Sequence, residues 1–214
     1  MTARRELAGG RLACVPEAPL EDSGAGLAPT GEGWFVVNVR DTKWVVTAEY
    51  GSGCSFESRE FRFQQLGFNI CSLEPGEPNC LYHSESQQEA FLVLSGECRL
   101  LVEGEERLLR AWDFFHCPPG TEHVFVGAGD GPCAVLMVGV RSPDEQLLYP
   151  VSELAARYGA SAEVDTPDPE VAYAGFGGVQ PGRPRGGSPY HDSMTSLDGR
   201  ISGAVGTWGS PLLS

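Results

Sequence analysis

A series of short apolar segments, separated by turn residues, most limits what this chain can fold into. The predicted strands of this series are 67–73, 80–85, 89–95, 98–103, 106–111, 113–117, 122–127 and 133–140. Glycine, proline and acidic residues break the series between the segments, as is typical of turns. Short strands at this spacing indicate an all-β sandwich or barrel. Closing such a sheet leaves an interior lined by alternate residues of every strand, where a small ligand or a metal ion can bind.

The part of the chain before this series is less regular. Residues 1–32 are rich in glycine, proline, alanine and acidic residues, and we expect a loose leader there. Two strands are predicted at 34–37 and 44–47, joined as a hairpin by turn residues at 40–42. Residues 50–60 are predicted to form a loop.

The part after the series contains one helix signal. Ser152 and Gly159 are typical cap residues and predict a short helix over 152–158. Glycine, proline and serine dominate the end of the chain, and residues 161–214 are expected to be a largely disordered tail. One folded domain is therefore expected over residues 33–160.

Composition excludes several classes of function. The formal net charge is -14, so no basic face is available to neutralise the phosphates of a nucleic acid. No apolar run approaches the roughly 20 residues that a membrane span requires. The 7 cysteines include no Cys-x-x-Cys pair, and the N-terminus has no apolar run of signal-peptide length. We therefore expect a cytoplasmic protein whose cysteines stay reduced and pack in the core.

Two segments carry residues with metal-ligand chemistry. In the first, His83 and Glu85 are two apart on one predicted strand, so both can point inward. Glu89 opens the next strand after a short turn, which places three candidate ligands near one hairpin. In the second, Gly120 follows Pro119 in a tight turn, and His123 begins the strand after it. Imidazole and carboxylate groups suit a divalent first-row metal.

Three other residues with polar side chains are not predicted to be metal ligands. Tyr82 alternates with His83 and is expected to face outward. His116, between Phe115 and Cys117, is out of phase with the candidate ligands, and we interpret it as a core residue or as support for a ligand. His191 lies in the predicted tail.

The two segments resemble the two sequence motifs of the cupin superfamily. Glu89 and Gly96 keep the spacing of the first motif, and Pro118, Gly120 and His123 match the second. Two sequence segments are similar to a cupin along their whole length: QEAFLVLSGECRLLVEGEERLL and, after it, DFFHCPPGTEHVFVGAGDGPC. The resemblance implies a small single-domain cupin, a double-stranded β-helix or jelly-roll barrel, with a short C-terminal helix and a disordered tail.

The chain departs from the family pattern at Glu85, where a typical cupin has a second histidine. The resemblance then implies a metal site of His83, Glu89 and His123, with Glu85 as a possible fourth ligand. Two carboxylates and two imidazoles favour Zn, Mn, Fe or Ni over Cu(I). Gln88 is the alternative: it can contribute an amide oxygen or a hydrogen bond that supports a ligand.

The resemblance leaves the reaction open, because cupins serve many functions. The first hypothesis is a metal-dependent enzyme acting on a small polar metabolite, such as an isomerase, an epimerase or a dioxygenase. The second is a non-catalytic module that binds a metal or a small ligand, and the third is a degenerate barrel without metal. By analogy with the family, a homodimer is expected, with a small molecule as the other partner.

Overall fold

The computed structural model describes residues 14–184, which are organised mainly as β-strands. In chain order the strands are β1 (Leu20–Asp22), β2 (Leu27–Pro29), β3 (Lys43–Val46), β4 (Ser52–Ser55), β5 (Leu66–Leu73), β6 (Ser84–Glu85), β7 (Glu89–Ser95), β8 (Glu97–Val102), β9 (Glu105–Arg110), β10 (Phe114–Cys117), β11 (His123–Ala128), β12 (Cys133–Val140), β13 (Leu147–Leu148) and β14 (Gln180–Pro181). The helices are α1 (Glu153–Ala156) and α2 (Pro169–Ala172). The all-β prediction is confirmed.

Two antiparallel sheets enclose the core. The larger has the strand order β10-β7-β12-β5-β4-β3-β14, and the smaller has the order β11-β8-β9. Alternate residues of both sheets point inward and pack together: Cys71, Leu73, Phe91, Val93, Cys98, Leu100, Cys117, Phe125, Cys133, Val135 and Met137. A bridge between His83 and His123 joins the chain before β6 to β11. The arrangement is a jelly-roll barrel, and this bridge lies where the candidate ligands meet.

The predicted hairpin of strands 34–37 and 44–47 is wrong. Strand β3 pairs with β4 and β14, whereas Trp34 forms only an isolated bridge to Glu17. Strand β4 lies inside the predicted loop 50–60, and all of its residues are small. The residue before it, Gly51, lies close to β5. A Cβ atom added at Gly51 would lie 2.4 Å from a methyl carbon of Leu73. Small residues have low strand propensity, so the sequence pattern does not indicate this central strand.

The ends of the barrel are covered by segments outside the strand series. Strands β1 and β2 pair within the predicted loose leader, in the described residues 14–32. The predicted helix at 152–158 is present as α1, where Ser152 Oγ accepts a hydrogen bond from the Ala155 amide at 3.2 Å. Gly159 follows with φ +68°, a conformation that glycine adopts without strain.

The described part of the predicted tail is folded, unlike the expectation for residues 161–214. Tyr173 and Phe176, which follow α2, pack against the buried rings of Tyr50 and Tyr149. Strand β14 then pairs with β3 at the edge of the larger sheet. Scattered aromatic residues give no periodic signal, so the sequence did not indicate this packing. Residues 185–214, which include His191, lie outside the described residues.

Two further expectations concern membrane-spanning segments and the cysteines. Among residues 14–184, no helix has the length and apolar character needed to cross a membrane. The cysteines from Cys54 to Cys133 are buried and free, as expected of core residues, whereas Cys14 is exposed.

Candidate metal centre

Three of the predicted ligands meet at one end of the barrel. The donor atoms of His83, Glu89 and His123 all lie within 4.8 Å of one another, and the three residues are buried. Main-chain hydrogen bonds fix the two histidines as a pair, because the His83 amide donates to the His123 carbonyl at 3.1 Å and the His123 amide to the His83 carbonyl at 2.8 Å. Glu89 opens β7, so a strand end positions the carboxylate.

Main-chain carbonyls orient both imidazoles. His83 Nδ1 lies 2.8 Å from the Leu81 carbonyl oxygen, and His123 Nδ1 lies 3.1 Å from that of Thr121. A carbonyl oxygen can only accept, so each Nδ1 atom carries a proton. Burial, together with the nearby His83, lowers the pKa of His123 to about 3, so that ring is neutral and its Nε2 presents a lone pair. Burial lowers the pKa of His83, but Cys80 and Glu85 outweigh this effect and raise it well above the ordinary value, so the His83 ring would have to release the proton of its Nε2 to bind a metal.

Glu89 provides the strongest indication that this cluster can bind a cation. The residue is 2 % exposed, and neither carboxylate oxygen has a hydrogen-bond partner among the described residues. One oxygen lies 3.5 Å from His123 Nε2, and burial together with Glu85 raises the pKa of Glu89 to about 8. His83 Nε2 is also buried without a hydrogen-bond partner. Polar groups left in this state are costly unless an ion or another polar group binds them.

Glu85 lies beside the three residues, and its carboxylate is next to the His83 ring. Its Oε1 atom is 3.6 Å from His83 Nε2, and its side chain is buried. Burial raises the pKa of Glu85, but His83 outweighs this effect and holds the pKa below the ordinary value. Glu85 is therefore within reach of the same ion, although it is not one of the three residues whose donor atoms cluster most tightly.

Glu145 is a residue of this region that the sequence did not indicate. Its carboxyl group lies beside that of Glu85, and burial together with Glu85 raises the pKa of Glu145 to about 7. The contact forms because β13 pairs with β6 and brings the loop after β12 to the site. No motif includes Glu145, and only this long-range pairing reveals its position.

The other residues singled out by sequence have no place among the donor atoms. Gln88 is exposed, so Glu85 is the better candidate for a fourth ligand. His116 is exposed, which contradicts its interpretation as a core or supporting residue: the strand alternation turns Phe115 and Cys117 inward instead. Tyr82, expected to face outward, is buried because the segment that contains α1 covers that face of the barrel.

Aromatic rings form the surroundings of the two histidines. The His123 ring packs against Phe91 at a centroid distance of 5.1 Å and against Phe115 at 5.9 Å. The His83 ring stacks on Tyr149 at 5.8 Å with an interplanar angle of 29°. These rings lower the local dielectric, which strengthens every charge interaction at the site.

The donor set fits a divalent cation. Two imidazoles and one or two carboxylates are ligands for first-row metals. A dication bound among them would satisfy the buried oxygens of Glu89 and Nε2 of His83 together. It would also offset the repulsion between the carboxylates of Glu85 and Glu89.

Comparison with known proteins agrees with this geometry. Residues 69–139 match the model of a family described as the cupin domain. The barrel matches a cupin domain over these residues. The matched region runs from β5 to β12 and contains His83, Glu85, Glu89 and His123. No curated protein matches the chain.

Several solved structures resemble the chain. A proposed sugar phosphate isomerase from Acidithiobacillus ferrooxidans is 26% identical over 39% of this chain, with a TM-score of 0.38, and the chain spans 55% of that protein. A sugar phosphate isomerase from a cupin superfamily, from Silicibacter pomeroyi, is 25% identical over 54% of this chain and 81% of its own, with a TM-score of 0.48. A predicted oxalate decarboxylase from Thermotoga maritima is 20% identical over 50% of this chain and 100% of its own, with a TM-score of 0.45.

Proposed function

We propose that the cupin domain binds one divalent metal ion through His83, Glu89 and His123, with Glu85 as the fourth ligand. The observation that carries this proposal is the buried carboxylate of Glu89, whose two oxygens lack hydrogen-bond partners among the described residues. A carboxylate in such a position is stabilised by a cation or protonated. The imidazoles of His83 and His123, whose donor atoms lie within 4.8 Å of this carboxylate, favour the cation.

The bound ion is Zn, Mn, Fe or Ni, and the protein is a metal-dependent enzyme acting on a small polar metabolite. Such an ion polarises a substrate oxygen or activates O2. Glu145 lies beside Glu85, and burial together with Glu85 raises its pKa to about 7, so this carboxyl group can exchange a proton with a bound substrate near neutral pH. An isomerase or epimerase uses such a proton exchange in its reaction. A dioxygenase is the alternative enzyme class.

A non-catalytic module that binds a metal or a small ligand is the alternative. The same donor atoms serve both functions, and the Glu145 carboxyl group beside the site favours the enzyme. The third hypothesis, a degenerate barrel without metal, requires a protonated Glu89 that is buried without a hydrogen-bond partner among the described residues.

Metal analysis of the protein purified without an affinity tag tests the proposal. We expect about one equivalent of a first-row metal, lost on treatment with a strong chelator together with a fall in Tm. An oxygen-consumption screen with candidate metabolites then separates the enzyme classes: iron with substrate-dependent uptake supports a dioxygenase, and zinc or manganese without uptake supports an isomerase or a binding module. No bound metal and an unchanged Tm after chelation would contradict metal binding altogether.

We further propose that the domain forms a homodimer in the cytoplasm. The outer face of the larger sheet carries the row Phe114, Leu92 and Leu136 across β10, β7 and β12, and Phe114 is 65% exposed. An apolar sheet face of this kind is typical of an interface. Light scattering on the wild type and on Phe114→Asp tests it, and a monomeric wild type would exclude the dimer. Buried free cysteines are consistent with a reducing compartment.

A further inference from the structure

A cavity of about 710 Å³ lies on the outside of the barrel, between residues 31–33 and the segment 60–68. Phe68 of β5 forms part of its lining. Cys71 and Leu73 of the same strand pack in the barrel core, so Phe68, three positions before Cys71, lies on the opposite face of the sheet. The sheet therefore separates this cavity from the candidate metal centre. The volume is within the range of about 300–1,000 Å³ that is typical of small-molecule sites.

Three phenylalanine rings line the cavity at steep angles to one another. The rings of Phe61 and Phe63 have centroids 6.0 Å apart and an interplanar angle of 89°. Those of Phe63 and Phe68 are also 6.0 Å apart, at 83°. Phe35, from the neighbouring segment, stacks on Phe63 at 6.3 Å. A flat apolar group can pack against such rings in face-to-edge or offset-stacked geometry.

Polar contacts beneath the cavity hold the segment that carries these rings. The carboxylate of Glu57 accepts a hydrogen bond from the Phe63 amide and pairs with Arg141 Nη2 at 2.7 Å. Arg141 Nη1 donates to the Phe63 carbonyl at 3.2 Å, and the Arg141 amide donates to the Gln65 carbonyl at 2.9 Å. The backbone on both sides of the Phe63 ring is thus fixed, and a preorganised site loses little conformational entropy when it binds a ligand.

The lining also carries charged groups of both signs. Glu32 and Glu60 contribute carboxylates, and Arg62 contributes a guanidinium group. Burial and the nearby Arg59 and Arg62 lower the pKa of Lys43, so these three cations lie near one another. A ligand with a single charge of either sign would meet groups of like charge at this cavity. A ligand with one charge of each sign can be oriented so that both are paired.

We propose that this cavity binds a free amino acid with an aromatic side chain. The ring of the ligand packs on the phenylalanine rings, its carboxylate pairs with Arg62, and its ammonium group pairs with Glu32 or Glu60. The combination of aromatic walls and charges of both signs in one cavity carries this inference. The site is independent of the proposed metal binding, because it lies on the other face of the larger sheet.

Calorimetric titration of the full chain tests the proposal with four probes. L-phenylalanine has the ring and both charges, 2-phenylethylamine lacks the carboxylate, 3-phenylpropionate lacks the ammonium group, and glycine lacks the ring. We expect L-phenylalanine to bind about three- to fivefold more tightly than either singly charged probe, the usual contribution of an exposed ion pair, and more tightly than glycine. A singly charged probe or glycine that binds as tightly as L-phenylalanine, or no binding of L-phenylalanine, overturns the proposal.

Variants locate the site on the molecule. Phe68→Leu should weaken L-phenylalanine binding about two- to tenfold, and Arg62→Gln should abolish the preference over 2-phenylethylamine. Phe114→Leu and Arg107→Gln make the same changes at exposed positions outside the cavity and should leave binding unchanged. His123→Ala should bind L-phenylalanine as the wild type does. Loss of binding in His123→Ala, with full binding in Phe68→Leu, would place the amino acid at the metal centre and refute the cavity.

Discussion

At the residue scale, the two imidazoles of the candidate metal centre are held by hydrogen bonds to main-chain carbonyls before any ion binds. The Leu81 and Thr121 carbonyls each accept from an Nδ1 atom, so both Nε2 atoms point toward Glu89. Since the carbonyls belong to the same segments as the histidines, this orientation forms locally as the barrel folds. A preorganised ligand set loses little conformational entropy when it binds a metal.

Replacing His123 tests this arrangement. His123→Ala removes one of the three clustered ligands, and we expect the variant to lose its metal and its response to chelators, because metal binding at 100 times its Kd stabilises a fold by about 2.7 kcal/mol. Metal content and Tm with and without chelator are the measurements. His116→Ala is the matched control, since His116 is an exposed histidine and should leave the metal content unchanged. Full metal content in His123→Ala would refute the ligand assignment.

The buried carboxyl of Glu89 predicts how the stability of the metal-free protein depends on pH. The folded-state pKa of about 8 lies above the ordinary value of 4.5, so the folded protein binds more protons than the unfolded chain between these pH values. Stability must then fall as pH rises through this window, by a few kcal/mol in order of magnitude. Glu89→Gln, which cannot ionise, should lose less stability between pH 5 and pH 8.

Chemical denaturation of both metal-free proteins at pH 5 and pH 8 measures the difference. Glu105→Gln serves as the control, because this exposed carboxyl group should leave the wild-type pH dependence unaltered. Parallel pH profiles for the wild type and Glu89→Gln would mean that Glu89 is not desolvated in the metal-free fold.

At the scale of the elements, the turn between β7 and β8 combines a left-handed backbone conformation with a close approach of another segment. Gly96 has φ +70°, and a Cβ atom there would lie 2.6 Å from the Pro132 carbonyl oxygen and 2.7 Å from Cys133 Cα. Gly96→Ala should therefore destabilise the fold by more than the roughly 1–3 kcal/mol of the strained φ alone. Gly104→Ala, at φ +75° with open space around it, should cost only that strain. Denaturant midpoints measure both, and equal losses would contradict the role of the close contact.

The elements also show where sequence reasoning succeeds and where it fails. The strands from β5 to β12 are predictable because their apolar segments alternate with turn residues, and the spacing from Glu89 to Gly96 corresponds to the length of β7 and the turn that leads to β8 in the other sheet. Strand β4 is not predictable because it consists of small residues, and such residues resemble a loop. A strand can be recognised from its sequence only when its side chains are large enough to show the alternation of apolar and polar residues.

At the scale of the whole molecule, the candidate site depends on chain segments that are distant in sequence. His83, Glu89 and His123 were predictable because they lie within recognisable motifs. Glu145 and Tyr173 were not predictable, because the pairing of β13 with β6 and the packing of the segment after α2 bring them to the site. Contacts of this kind leave no periodic signal in a single sequence.

Tyr173 links the segment after the barrel to the metal centre. Its hydroxyl group accepts a hydrogen bond from the Leu81 amide at 3.1 Å, and the Leu81 carbonyl in turn accepts from His83 Nδ1 at 2.8 Å. Tyr173→Phe keeps the ring and its aromatic contacts but leaves the Leu81 amide without this acceptor. Because groups that support a ligand typically change metal affinity by about 10–100-fold, we expect weaker metal binding in this variant, at the lower end of that range.

Competition with a chromophoric chelator for Zn²⁺ measures this affinity. Tyr158→Phe is the matched control, because the Tyr158 hydroxyl donates to Glu106 on the surface, 3.0 Å away, and makes no contact with the peptide that holds His83. The loss of folding stability in Tyr173→Phe should be only about 1 kcal/mol, as for one hydrogen bond, so the fold persists while the affinity falls. Equal zinc affinity in the two variants would show that the segment after the barrel covers the core without orienting the ligand. A lower affinity in Tyr173→Phe alone would make that segment part of the metal centre.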